Sequence, residues 1–542
     1  MRTKRVAAWA AVLLTAFVGQ SVGQAQEGAR MERVADRQPG EGEGPYRRLV
    51  IRGATLVDGS GAPPRGPVDI VIAGNRIESI RSAGTPGLPV TQERAPRDAD
   101  REIGATGMTV LPGFVDTHGH NGDSHPDKAP NATYGYRLWL AHGVTTVRGV
   151  GLYRGSNNMS LSDRQRSRDN SIVAPRLFAY IVMGDTWAGG AVNTPERARA
   201  FVRWAAAQGY DGIKFFNGEP PAAMEAAIAE ARARGLGTIA HLGQGGVAET
   251  NADRAAAMGL HGVTHFYGHF ESLLRDHRIP NYPHNYNMAD EQWRFSQVAR
   301  LADQIVEPGS AEWRAYLERL LERRVTMSPT FNIYSAGRDV MRARTAEWHE
   351  RYTLPSLMRF FQPSRVHHGS YFWDWTTEDE IAWRRFYAVW MRLVNDYKNM
   401  GGRVTVGSDA GYIYQTWGFS YIGELEMLQE AGFSPLEVIQ AATINGAREL
   451  TEPTGREPEF GMVRVGMLAD LVIVPGNPLA NLKVLYGTGH ERLNPDTQAV
   501  ERVGGVRWTI KDGIVYDAPA LLASVERMVT EARAREGARP AN

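Results

Sequence analysis

The feature that most restricts the fold is an alternation through the middle of the chain. Eight short apolar, β-branched segments recur: Thr109–Val115, Val144–Val150, Leu177–Met183, Gly212–Phe216, Gly237–Ala240, Gly262–Phe266, Val325–Ser328 and Arg403–Val406. Amphipathic stretches such as Thr194–Gln208 and Ala222–Ala233 lie between most of them. Short apolar runs separated by helical patterns are the signature of parallel strands joined by crossover helices. Eight such units predict an α/β fold, a (β/α)8 TIM barrel. The last helix is sharply signalled. Ser434-Pro435-Leu436-Glu437 combines an N-cap serine, a proline at the first helical position and a capping-box glutamate.

The two ends of the chain read differently. Leu49–Val57, Val68–Ala73 and Arg76–Ile80 are short strands, the last two flanking the hairpin signal Gly74-Asn75. They are too few to bury a core alone. Candidate partners lie at the far end: Leu471–Val474, Val500–Val503 and the hairpin Val506–Val515 around Lys511-Asp512-Gly513. The expectation is a small composite β-sandwich built from residues 48–108 and 453–520. The barrel, residues 109–452, is inserted between them, and residues 521–542 form a C-terminal helix or tail.

Arg2, Lys4 and Arg5 precede an apolar run from Val6 to Val18 and a small-x-small site at Gly23-Gln24-Ala25. This is a secretory signal pattern over residues 1–25, and the run is too short for a stable membrane anchor. Its removal leaves 58 basic residues against 60 acidic. A near-neutral chain offers no electrostatic reason to bind nucleic acid. The expectation is a periplasmic or secreted protein, free of the membrane after cleavage, with residues 26–47 as a polar linker. The chain has no cysteine, so disulfides and thiolate-bound metal are excluded.

In a TIM barrel, chemistry gathers at the C-terminal ends of the strands. The first strand ends in His118-Gly119-His120, and residues two apart on a strand face the same side. Taken alone, that pair fits two solvated histidines as well as it fits a metal. Later strands end in Lys214, His241, His265 and Asp409. Individually, Lys214 reads as a salt-bridged lysine, and His241 and His265 as core histidines. In sequence along successive strand ends, the six read as one metal site. His125 sits in the loop after His120, where a surface role suits it better than a ligand role.

The order His-x-His, Lys, His, His, Asp resembles the metal-dependent amidohydrolase superfamily, above all its imidazolonepropionase-like and dipeptidase-like members. The likeness extends to Leu56-Val57-Asp58-Gly59, Leu111-Pro112-Gly113-Phe114-Val115-Asp116, Ala442-Thr443-Ile444-Asn445-Gly446-Ala447 and Gly466-Met467-Leu468-Ala469-Asp470. It implies two divalent metal ions, with zinc the expected identity. His118, His120 and Asp409 would hold the first ion, and His241 and His265 the second. A carbamate on Lys214 and a hydroxide would bridge them. Asp409 would also serve as the catalytic proton carrier. The implied activity is hydrolysis of an amide-type C–N bond in an N-acyl amino acid or dipeptide-like small molecule. A lactone or phosphotriester hydrolase fits the same site. A deaminase fits less well, because His241 is followed by Leu242-Gly243-Gln244 and not by the glutamate such enzymes use. A binding protein without catalysis is a further alternative.

Insertions at about 268–310 and 331–395 carry many aromatic residues, including Trp348, Tyr352, Phe360, Tyr371, Trp375 and Trp383. They predict a partly helical lid whose rings either line a site for an apolar or aromatic substrate portion or pack internally or between subunits of a homo-oligomer. Tyr267, Asn332 and Tyr334 are candidate substrate contacts.

Overall fold

The computed structural model describes residues 33–89, 97–120, 132–151, 157–216, 218–276, 279–364 and 369–537. The signal pattern and His125 lie outside these residues. No described helix is long and apolar enough to cross a membrane.

Strands β1 (Leu49–Leu56), β2 (Arg65–Ala73), β3 (Arg76–Ser82), β4 (Arg101–Gly104) and β5 (Met108–Pro112) precede the barrel. The barrel strands are β6 (Phe114–Gly119), β7 (Val144–Val150), β8 (Arg176–Val182), β9 (Gly212–Phe216), β10 (Gly237–His241), β11 (Gly262–Thr264) and β12 (Thr326–Ser328). The chain closes with β13 (Leu471–Pro475), β14 (His490–Leu493), β15 (Val500–Val503), β16 (Trp508–Lys511) and β17 (Ile514–Asp517), then helix Ala518–Gly537.

β6 to β12 form one parallel sheet in sequence order. The eighth segment, Arg403–Val406, makes no ladder of its own. Val404 forms a single parallel bridge to Met327. The Met327 N–H donates to the Arg403 carbonyl at 3.0 Å and the Thr117 N–H to the Val406 carbonyl at 2.8 Å. The segment thus spans the gap between β12 and β6, and the barrel closes through it. The expected capping box forms between Ser434 and Glu437 at the start of helix Pro435–Gln440.

The expected strand Thr109–Val115 is divided between two sheets. In β5, Pro112 pairs with Leu471. The Gly113 N–H donates to the Asp470 carbonyl at 2.7 Å, and Phe114 pairs with Val144 in the barrel. The residue at the break is a glycine, and a Cβ there would collide with the Thr145 side chain. The barrel therefore starts at Phe114.

The composite domain is one eight-stranded sheet running β17-β16-β13-β5-β1-β2-β3, with β4 also paired to β1. Its own apolar core draws on Ile51, Ile70, Ile103, Ile473 and Ile510, from both chain ends. Val500–Val503 does not join it. This segment pairs with His490–Leu493 in a separate hairpin. Part of the stretch expected as a linker is fastened to the body. Arg37 donates its N–H to the Ser171 carbonyl at 2.8 Å, Arg166 donates to the Val34 carbonyl at 2.7 Å, and Glu43 bridges to Val515.

Inside the barrel, Arg148 on β7 is buried against Glu449, with Nη1 to Oε1 at 2.7 Å. Its Nε also donates to the Thr117 carbonyl at 2.6 Å. The helix carrying Glu449 comes this close because of Gly446, whose added Cβ would lie 2.8 Å from Val115 Cγ1. Glu449→Ala removes the carboxylate and strands a buried guanidinium. It is expected to cost about 3–5 kcal/mol of stability, read as a lower urea midpoint at unchanged m-value. A loss below about 1 kcal/mol would show that the pair behaves as a surface ion pair.

Candidate metal centre

The six predicted ligands come from the C-terminal ends of β6, β9, β10 and β11 and from the segment that closes the barrel. Ligand atoms of His118, His265 and Asp409 all lie within 4.8 Å of one another, and all three residues are buried. Asp409 Oδ1 is 3.5 Å from His118 Nε2 and 3.2 Å from His120 Nε2. Its other oxygen is 3.8 Å from His265 Nε2. The imidazoles follow one another around the rim, with ring centroids 5.2 Å apart for His118–His120, 4.9 Å for His118–His265 and 4.7 Å for His241–His265. Lys214 is buried on β9, its Nζ 3.5 Å from Thr264 Oγ1.

Electrostatics favour ligation. Burial, aided by the Lys214 charge, pushes His118 well below the ordinary histidine range. Burial does the same to His265, aided by His241 and Lys214. Both imidazoles are thereby kept neutral, the form that binds metal. Burial also lowers Lys214 to about 7, so a substantial fraction is uncharged amine at neutral pH. Neutral His118 and His265 leave the Asp409 carboxylate without a cationic partner in either of those rings. A buried carboxylate in that position calls for a cation. The donor set of nitrogen and carboxylate oxygen atoms suits zinc or a similar divalent ion.

Three further residues hold this arrangement. Asp116, fully buried on β6, accepts the N–H groups of His118 and Ser408, the Ser408 hydroxyl at 2.5 Å and the Trp139 indole at 3.0 Å. It thereby ties the first ligand loop to the last. Burial nonetheless pushes its carboxyl up to about 6. Thr330, just past β12 with φ of 53°, lies 2.5 Å from His265 Nδ1 and so orients that ring. Glu424 accepts the Phe331 N–H at 2.9 Å and the Asn332 N–H at 2.6 Å. Its carboxyl is pushed up to about 8 by burial. None of the three stands out as a site residue in the sequence. Only Asp116 carries a signal there, as an acid inside an apolar strand.

Of the candidate substrate contacts, Tyr267 stacks near His241 with centroids 4.5 Å apart, and Tyr334 meets His265 edge-on at 5.7 Å. Their hydroxyls are 3.5 Å apart. Asn332 is placed elsewhere. Its amide bonds Gln415 and the Ser420 carbonyl, away from the cluster.

Residues 388–515 match the Amidohydrolase family. Among curated proteins, an N-acyl-D-aspartate deacylase of Alcaligenes xylosoxydans xylosoxydans is 32% identical over 152 residues, covering 27% of this chain and 26% of that protein. The match thus spans about a quarter of that relative's length. Among solved structures, a Xaa-Pro dipeptidase with methionine bound in its active site aligns with a TM-score of 0.55 at 21% identity. That alignment covers 87% of this chain and 100% of the other. An A. niger ochratoxinase aligns with a TM-score of 0.55 at 16% identity, covering 88% and 96%.

Thr330→Val keeps the shape of the loop and leaves His265 Nδ1 without its partner. Outer partners of ligating histidines are worth about 10–100-fold in metal affinity. A loss of that size is expected in competition with a chelator of known zinc affinity. Unchanged affinity would remove Thr330 from the site.

Proposed function

We propose, from the premise that this chain belongs to the amidohydrolase superfamily, that it is an exported binuclear metallohydrolase cleaving the amide bond of an N-acyl amino acid or dipeptide-like small molecule. The observation that carries the proposal is the convergence of His118, His265 and Asp409 within 4.8 Å in a buried site, with His120, His241 and Lys214 beside them. The similarity to an N-acyl-D-aspartate deacylase favours an amide over a lactone or phosphotriester.

In this scheme His118, His120 and Asp409 would hold one ion, and His241 and His265 the other. The uncharged Lys214 amine would add CO2 and lose a proton, giving a carbamate that would supply anionic oxygen ligands. When bound, such ions supply Lewis-acid polarisation of the scissile carbonyl and acidify a water molecule at neutral pH. Asp409 does the proton work. Its carboxylate lies 3.2 to 3.8 Å from the His118, His120 and His265 rings, and it would carry the proton from the attacking water to the departing nitrogen. Asp116 fixes the loop bearing Asp409 through Ser408, so the carboxylate does not swing away between the two transfers. Tyr267 and Tyr334 present hydroxyls beside His241 and His265, where an acyl or amino-acid carbonyl would lie. Export rests on the basic, apolar and small-residue pattern of residues 1–25.

Elemental analysis of the purified protein is expected to give two divalent ions per chain, and extensive chelation is expected to abolish turnover until metal is restored. Lys214→Ala should abolish hydrolysis across a panel of N-acyl amino acids and dipeptides, with partial recovery on adding short carboxylic acids. A firm value of one ion, or undiminished activity in Lys214→Ala, would refute the binuclear scheme.

A further inference from the structure

A second cavity of about 590 Å³ opens on the outside of the barrel, between the segment after β12 and helix Phe419–Glu430. None of the six cluster residues lines it. Its volume falls in the range of small-molecule sites. One wall is apolar and aromatic, with Trp348, Phe419, Met427 and Ala343. Trp348 and Phe419 stack with centroids 5.0 Å apart, giving that wall a fixed flat face.

The charged groups around the opening divide into committed and uncommitted. Glu430 is held on both oxygens by Arg338, at 2.7 Å each. Glu426 is held by Lys483 at 2.6 Å and by the Tyr486 hydroxyl at 2.7 Å. Asp339 caps the short helix that follows, accepting the Arg342 N–H at 3.0 Å. Arg384 donates Nε to the Arg338 carbonyl at 3.0 Å. Among the described residues this leaves Arg342, exposed at the opening, as the lining cation whose guanidinium makes no hydrogen bond or ion pair; its charge reaches Glu430 only at longer range, behind the Arg338 pair. A planar guanidinium offers a paired donor edge that matches a carboxylate.

We infer that this cavity, lined by Arg342 and the Trp348–Phe419 stack, is a binding site for a small aromatic monocarboxylate, separate from the metal centre. One open guanidinium matches one negative charge, and the flat apolar wall takes the ring. The cavity also borders the catalytic loops. Asn332 and Gln415 line it and are hydrogen-bonded to each other. The Asn332 N–H is gripped by Glu424, two residues from the threonine that orients His265. A ligand in this cavity therefore touches the outer side of the scaffold that holds the metal ligands.

The test is calorimetric titration of the metal-loaded protein with 1-naphthylacetate, against 1-naphthylacetamide as its neutral counterpart. The acid is expected to bind wild type. Arg342→Ala should weaken it by about tenfold or more, the scale of one charge-assisted contact, and Arg342→Lys should restore part of the loss. The amide should bind weakly and alike to all three proteins. Equal affinity of the acid for wild type and Arg342→Ala would overturn the inference, since binding through the metal centre survives that substitution. No measurable heat with wild type at millimolar acid would overturn it as well. Binding is read without turnover, so the result does not depend on the amide-hydrolase proposal.

Discussion

The site depends on how the barrel closes. The eighth segment contributes one bridge where a full strand would contribute a ladder. Its place is taken by three links to β6: Thr117 N–H to Val406, Asp409 N–H to the His118 carbonyl at 2.9 Å, and Ser408 to Asp116. These bonds put the first and last ligands side by side. An irregular backbone here has a use. A regular strand would alternate its side chains in and out, whereas Asp409, at φ of 48°, leaves the strand path and turns its carboxylate among three imidazoles. The strained conformation persists because the main-chain bonds on either side over-determine it.

Much of this was legible in the residues. Alternation located the barrel segments from β7 to β12 and the closing segment, and their ends brought six candidate ligands to one rim, because both follow from local spacing. The division at Gly113 was missed although Pro112-Gly113, a chain-turning pair, interrupts the apolar run Thr109 to Val115. Neither partner strand, Leu471–Pro475 nor Val144–Val150, is near it in sequence, so the change of sheet had no local partner to announce it. The close approach of Thr145 then requires a glycine at the break. Thr330 and Glu424 were hidden for a related reason. Each acts through a residue 65 or about 92 positions away, and nothing in their own neighbourhoods marks them. The single sheet built from both chain ends was half legible: its strands were recognisable, but Val500–Val503 looked like one of them and pairs elsewhere.

The aromatic insertions show what composition cannot separate. Phe270 stacks on Phe386 with centroids 4.4 Å apart, and Phe295 on Tyr371 at 4.0 Å. Tyr334 lies flat against Trp383. These rings are buried in the core that continues from the barrel, and rings of this size bring a large apolar area out of water. The two insertions are thus packed on one another by their own aromatic residues, and Phe266, just past β11, ties them to the barrel through Trp383 and Phe386. Two rings face both ways. Tyr267 and Tyr334 pack their carbon faces into this layer and bring their hydroxyls together beside His241 and His265. Of the two roles that the sequence left open for the insertion rings, internal packing is what these contacts show.

The outer carboxylates carry the electrostatics one step further. Asp116 joins the loops after β6 and the eighth segment, and Glu424 pins the loop after β12. Glu424 spends both oxygens and Asp116 one on main-chain N–H groups, the donors that irregular loops leave unsatisfied. Burial raises both carboxyls, and Asp116 and Asp409 add to the rise at Glu424. Glu424 thus feels Asp116 and Asp409 across a cluster in which His118 and His265 are kept neutral. Divalent ions held by the six candidate ligands would favour the ionised form of Asp116 and Glu424. Ionised, Asp116 and Glu424 would grip their loop amides more strongly. On the proposed scheme, metal binding and loop order would be two sides of one equilibrium: the ions would complete the charge balance, and the tightened loops would hold the residues that bind them.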